Sequence, residues 1–351
     1  MWSLKASLTK RGDDEGMILL WVGLSMTVLL GVGALTIDLG ALYVERRQLQ
    51  NGADAAALAI AYNCATGDTC GSVMTTATKL ADDNSNDHAS AVPLVCGVGP
   101  GLSAGGCSTP AGLDGATNWV QVFTSTESAG GGNQVPMLLA PLVGAVSGKT
   151  VNANSVAQWG GLQSAKVSPI VIPACEYTKL GGTLDGSSFP SGSTTIYFHS
   201  FGAPPPDEAG VEPCSPSTSG ATFPGGFGWL GSSNCTADVS AGAWYAAYTA
   251  SNVAPGCRAR NLRTGPDLVL ALYDNTSGGV SDGQYHLLGF VGFKVTAVNF
   301  GGNNRSPRRF RCPLTPDDSG LCIQGTFTKT TKSGGVPGGP NLGVTAIKLI
   351  G

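Results

Sequence analysis

Charge is scarce in this chain: Asp, Glu, Lys and Arg make up 12 % of its 351 residues and nearly cancel, leaving a net charge of −3. That excludes a broad basic field for nucleic acid and an acidic solvating tail, so nucleic acid is not an expected partner. Histidine is rarer still, with only His88, His199 and His286, and no cysteine stands in a C-x2-C pair. The ligand spacing of a structural zinc site is therefore missing, and neither a metal nor a cofactor is expected. Glycine (52) and proline (21) are plentiful but follow no Gly-X-Y period, which rules out collagen and marks many turns and loops. A second long apolar run is also lacking, so at most one membrane crossing by a helix is expected.

The one such run, "MILLWVGLSMTVLLGVGALTI" from Met17 to Ile37, carries no charge. About 20 helical residues at 1.5 Å each cross a ~30 Å hydrocarbon core, so this segment predicts a transmembrane helix. A cleaved secretory signal competes, with Val32 and Ala34 as small residues before a cut, but its apolar region would be only about 7 to 15 residues long. Lys5, Lys10 and Arg11 before the helix against Arg46 and Arg47 after it give only a slight orientation bias. The cysteines choose the direction. All ten follow the helix: Cys64, Cys70, Cys96, Cys107, Cys175, Cys214, Cys235, Cys257, Cys312 and Cys322. An even set without zinc spacing reads as disulfides, which need an oxidising compartment. The N-terminus is thus expected in the cytoplasm and the bulk of the chain outside the cell. Cys64 with Cys70, Cys96 with Cys107, and Cys312 with Cys322 are close enough in sequence for local bridges. Cys175, Cys214, Cys235 and Cys257 leave three pairings open.

Beyond the apolar run the helical pattern continues. Leu35, Leu42, Leu49 and Ala56 recur at heptad spacing, Leu39, Ala53 and Ile60 fill the companion position, and Arg46 interrupts it. A helix from Met17 to Tyr62 would be a rod on the order of 70 Å long. Two readings of its narrow apolar seam stand side by side: it packs on the protein's own next domain, or against neighbouring helices in an assembly. Asp38, at the outer end of the apolar run, either marks the membrane interface or forms a buried ion pair with a neighbouring helix, since a charge in lipid is costly unless paired.

Further along, residues 71–86 read as a polar helix, "NWVQVFTST" as a half-buried strand, "VPMLLAPLVGAV" as a short apolar helix and "KTVNANSVAQW" as a second strand, closed by Gly160 and Gly161. After about Ala165, runs such as "SPIVIP", "TTIYFHSF", "DLVLALYD", "YHLLGFVGFKVTAVNF", "CIQGTFTK" and "VTAIKLI" alternate with Gly-, Pro- and Ser-rich loops. They predict a sandwich or partly open barrel, with "SAGAWYAAYTASN" its one helix and "KSGGVPGGPNLG" a loop before the last strand. The expected organisation is a leader 1–16, a transmembrane helix 17–37, a small α+β domain 38–160 hung on the extended helix, and a β-rich extracellular domain 165–351 with disulfides, α+β overall.

Motifs for chemistry are weak. "GLSAG" at Gly101 and "GVSDG" at Gly279 match G-x-S-x-G, but a nucleophile elbow needs a strand entering and a helix leaving, and neither context supplies them. The acidic runs "ADDNSND" from Ala81 and "PDD" at Asp317 lack the spaced ligands of a calcium loop and read as solvated turns. "RSPRRFR", Arg305 to Arg311, reads as a solvated loop, and no catalytic residue is expected.

The stretch "RGDDEGMILLWVGLSMTVLLGVGALTIDLGALYVERRQLQNGADAAALAIA" resembles the N-terminal signature of TadE/TadG-like Flp pilus-assembly proteins, and the strand, apolar helix and strand up to about Gly160 resemble the same family. "GGFGWL" and "HLLGFVGFKV" resemble extensions of actinobacterial TadG-like proteins. The resemblance implies a membrane-anchored minor pilin-like or accessory component of tight-adherence secretion, not an enzyme, with pilin-like subunits, other membrane components of that system and lipid as partners. Prepilin substrates of the system cut after a glycine and carry Glu at the fifth mature position. Trp21 follows Gly16 there and Met17 follows Gly12, so an uncleaved anchor is expected. Some TadG proteins also hold a metal-binding von Willebrand type A domain, and "DNTSG" at Asp274 is not its motif. The alternative is a surface adhesin whose C-terminal β domain binds glycan or protein.

Overall fold

The computed structural model describes residues 14–67, 69–113, 118–143, 147–198, 227–248, 253–279, 281–313 and 320–350. The leader through residue 13, His199, Cys214 and Asp317 lie outside them. By internal packing the chain forms two compact units: residues 1–55 with 77–94 and 123–154, and residues 56–76 with 95–122 and 155–351.

One α-helix, α1, runs without a break from Asp14 to Thr66. No proline interrupts it, and its glycines are isolated rather than paired, so nothing opens the i to i−4 ladder. It ends where the Gly67 N–H reaches back to the Asn63 carbonyl at 2.9 Å and the Cys64–Cys70 disulfide turns the chain. In the first unit α1 meets a second helix, α2 (Val73–Asp83), at Gly52. A methyl group there would lie 3.0 Å from the Ala81 Cα, so the two backbones touch without side chains between them. The buried Thr124 hydroxyl donates to the Leu49 carbonyl (3.1 Å), and the Gln50 amide nitrogen donates to the Asn154 carbonyl (3.0 Å). These bonds tie α1 to the ends of strands Asn118–Thr126 and Asn152–Val167.

Among the described residues, the apolar helix expected at "VPMLLAPLVGAV" is not formed. Val135–Pro136 pairs antiparallel with Gly148–Lys149 as a two-stranded ribbon, followed by a single 3-10 turn at Ala140–Val143. Pro136 and Pro141 remove two amide donors within six residues, too many for a short helix to survive.

The β-strands form two sheets that share an apolar core. One sheet is built on Asn152–Val167, flanked by Asn118–Thr126 and Val344–Ile350, with Ser90–Val98 and Thr330–Lys332 outermost and Val336–Gly339 and Ala237–Ser240 pairing with its later half. The other runs Ser193–Tyr197, Cys322–Thr328, Gln284–Asn299, Leu268–Ser277, Ile170–Pro173, Gly228–Trp229. Alternation places Ile170, Ile172, Leu270 and Leu272 in one apolar core with Phe293 and Ile323. Val171, Val269 and Ala271 point the other way, into a core shared with Leu162, Val344 and Ala346 of the first sheet. Burial on both faces is why these strands read as continuous apolar runs rather than as alternating ones.

Two further expectations are corrected. Gly160 and Gly161 do not end an element; the strand passes through them to Val167, with Thr345 opposite Gly161 and Ala346 opposite Gly160. A side chain at Gly161 would run into the Gly339 carbonyl and Pro340, so the glycine serves close strand approach rather than a break. The helix expected over residues 240–252 is also absent among the described residues. Trp244–Ala246 is a strand paired with Gln284–His286, entered through Gly242 at φ +78°. Cross-strand pairing of Trp244 with His286 and of Tyr245 with Tyr285 decides the outcome. The stretch read as a loop before the last strand also contributes Val336–Gly339 to the first sheet.

The disulfides Cys64–Cys70, Cys96–Cys107 and Cys312–Cys322 are formed, and Cys235–Cys257 selects one of the pairings left open. Cys175 is also disulfide-bonded.

Candidate anchoring and assembly surface

The exposed and covered faces of α1 define the site. From Met17 to Ile37 the apolar side chains are open to the surroundings, and this is the one described helix long and apolar enough to cross a membrane, at a mean hydropathy of 2.2. Past Ile37 the helix becomes two-faced. Asp38 is only 6 % exposed, Leu42 and Glu45 are half-buried, and Leu49, Gly52, Ala53, Ala56, Ala57 and Ile60 are buried. Steps of three and four residues connect these positions, the period of one covered helix face. Leu35 and Leu39, at 62 % and 55 % exposed, lie off that face, together with Tyr43 and Val44. The heptad seam is thus divided: Leu49, Ala53, Ala56 and Ile60 are covered by the protein itself, and Leu35 and Leu39 are not.

Asp38 is held by backbone rather than by an opposite charge. Its Oδ1 accepts the Leu138 N–H at 3.0 Å and the Leu139 N–H at 3.4 Å; its Oδ2 accepts Leu139 at 3.2 Å and Ala140 at 2.6 Å. Consecutive amides leading into a 3-10 turn have no partners within that turn, and a carboxylate supplies them, as at a helix N-terminus. Two turns further on, burial raises the Glu45 carboxyl above its ordinary value. The Thr126 hydroxyl partly offsets this, and Asp87 adds to the rise. Arg47 lies over the exposed Tyr43 ring at 5.3 Å.

The acidic run that begins in the last turn of α2 is likewise structural. Asp82 accepts from the Ser90 N–H and hydroxyl, both at 2.9 Å, Asp87 accepts from Ser85, and Asp83 pairs with Lys79. Ser103 lies in a turn where its Oγ accepts the Gly105 N–H, and Ser281 in the hairpin between Leu268–Ser277 and Gln284–Asn299; no helix follows either directly among the described residues. His286 Nδ1 is 2.6 Å from Asp274 Oδ1, with the half-exposed Trp244 ring 5.2 Å away. In the second unit a cavity of about 610 Å³ is lined by glycine backbone with Asn118, Trp159, Phe189 and Lys329, and by no histidine or carboxylate. Among the described residues, no three His, Cys, Asp or Glu side chains gather as a metal site.

A long apolar N-terminal helix, continued into a small α+β unit and followed by a disulfide-bonded β-rich region, is the architecture of a chain with a single-pass membrane anchor. The family model described as putative Flp pilus-assembly TadE/G-like matches residues 16–61, the span of α1 from the membrane segment to its last buried turn. The resemblance seen in the sequence therefore holds over this segment and supports a role connected with Flp pilus assembly, in company with other pilus components. No curated protein and no solved structure matches the chain.

Proposed function

We propose that the protein is a minor pilin-like or accessory component of Flp pilus assembly, without enzymatic activity, its bulk on the outer side of the membrane. The observation that carries this reading is the coincidence of the family match, residues 16–61, with a helix whose Leu35, Leu39 and Tyr43 are left uncovered by the protein's own unit. These three residues are spaced four apart and form one stripe that begins in the last turn of the membrane segment and runs past Asp38. Beyond the membrane, burial of Leu39 against a second helix is driven by apolar area, roughly 25 cal/mol per Å² removed from water, and within it Leu35 contributes by close packing. The inward-facing residues Leu42, Leu49 and Ala53 hold the first unit, so docking relies on Leu35 and Leu39.

Deleting the gene in its native host is expected to abolish or strongly reduce surface pili, with recovery on supplying the intact chain but not the Leu39→Asp variant. Normal piliation in the deletion strain would refute the role, and full recovery with Leu39→Asp would refute the stripe.

A further inference from the structure

The hydrogen bonds at Asp38 fix more than a turn. They hold the backbone of Leu138–Ala140 against α1 at the position where charge first returns after the apolar run, the outer boundary of the membrane segment. The segment is carried there by the ribbon of Val135–Pro136 and Gly148–Lys149, extended by the Met137 N–H to Ser147 carbonyl bond of 2.9 Å. From Val135 to Val143 the chain reads VPMLLAPLV, without a charge. Leu138 at its tip is 75 % exposed, more open than Ile37 or Leu39 on the neighbouring helix.

Leu138 is not an isolated exposed leucine but sits beside the exposed apolar surface of α1, and backbone amides exposed to lipid must find partners. Asp38 supplies them for three consecutive residues. The headgroup level is marked independently: Tyr43 lies about 7.5 Å further along the axis at 1.5 Å per residue, its ring under Arg47, the arrangement of an interfacial aromatic with a cation facing lipid phosphate. Lys149, exposed on the ribbon opposite Val135, adds a second cation on the element that carries the apolar tip.

We propose that the Met137–Pro141 loop is a second membrane contact, in which Leu138 enters the interface of the leaflet on the Asp38 side while Asp38 satisfies the loop's backbone. The occupant is lipid, because the patch is continuous with the membrane-spanning surface of α1 and is flanked by cations at headgroup depth. The consequence is orientational: one helix alone can rotate and tilt, whereas a helix with a pinned loop presents Leu35 and Leu39 in a fixed direction along the membrane. This rests on α1 being the membrane anchor.

The test uses the full chain in vesicles of mixed zwitterionic and anionic phospholipid. The described cysteines are disulfide-bonded, so a single added thiol can carry an environment-sensitive fluorophore. Labels are placed by Leu138→Cys, by Thr78→Cys on the exposed side of α2, and by Val28→Cys within the apolar run. The position-138 label is expected to emit at shorter wavelength than the position-78 label and to be quenched by lipids carrying a nitroxide near the headgroup. Emission and quenching at 138 equal to those at 78 would overturn the proposal. So would a shielded label at 138 that lipid nitroxides do not reach, since protein would then cover the loop. The position-28 label, quenched by nitroxides deep in the chains, reports the anchor separately; its failure to be quenched would overturn the anchor and the loop contact together. The pilus role is judged by piliation, not by these labels.

Discussion

Replacing Asp38 by Ala is expected to release the Leu138–Ala140 segment from α1. Three amides lose their acceptor at once, and a buried donor left unsatisfied costs about 1 to 3 kcal/mol, so a combined loss on the order of 3 kcal/mol is expected after water enters the part-open site. Hydrogen exchange at Leu138, Leu139 and Ala140 should accelerate by about two powers of ten, each tenfold corresponding to about 1.4 kcal/mol. Asp38→Asn should fall between, because it keeps one acceptor oxygen and turns a donor toward donors. A carboxylate that only marked the membrane interface, or waited for a cationic partner on another helix, would leave these amides unchanged on mutation. Exchange in the Asp38→Ala variant at the rate of the parent protein would therefore restore those readings.

The second large effect separates two leucines that the sequence pattern treats alike. Leu49 is 2 % exposed and Leu39 is 55 % exposed, yet both lie on the same heptad seam. Leu49→Asp places an unpaired charge under the sheet end where Thr124 donates to the Leu49 carbonyl, and the first unit is expected to lose its cooperative fold. Leu49→Ala should cost about 2 to 5 kcal/mol. Leu39→Asp, in contrast, should leave the thermal midpoint of the detergent-solubilised chain within a degree or two of the parent, as surface substitutions shift stability by about 0.5 kcal/mol or less. Equal destabilisation by both aspartates would mean that the uncovered stripe is part of the core after all.

These two residues show where the sequence was informative and where it stopped. The length and continuity of α1 were legible because nothing in Met17–Tyr62 breaks a helix, and the β runs of the two sheets were legible because strands buried on both faces need uninterrupted apolar side chains. The phase of the helix was not. A heptad count carries Leu35 and Leu39 into the same seam as Leu49, while the covered face follows the helix's own period from Asp38 through Leu42, Glu45 and Leu49. Asp38 itself was the available signal: a lone carboxylate at the end of an apolar run has to find donors, and the amide-rich, helix-averse segment around Leu138 supplies them. Ser90–Val98 went unrecognised because its burial does not alternate along the strand, and the ribbon at Val135 because its strands are only two residues long. Gly160 and Gly161 misled because glycine serves tight strand approach as readily as it ends an element.

The central claim is that the helix carries two faces, one holding its own α+β unit and one offered to pilin-like helices. Its most direct test is a photo-crosslinking residue placed singly at Leu39 and at Leu49 of the full chain, in host cells making pili. The account predicts that position 39 crosslinks to a small pilin-like subunit, while position 49 crosslinks only within its own chain. An intermolecular crosslink from position 49, or none from position 39 in piliated cells, would contradict it.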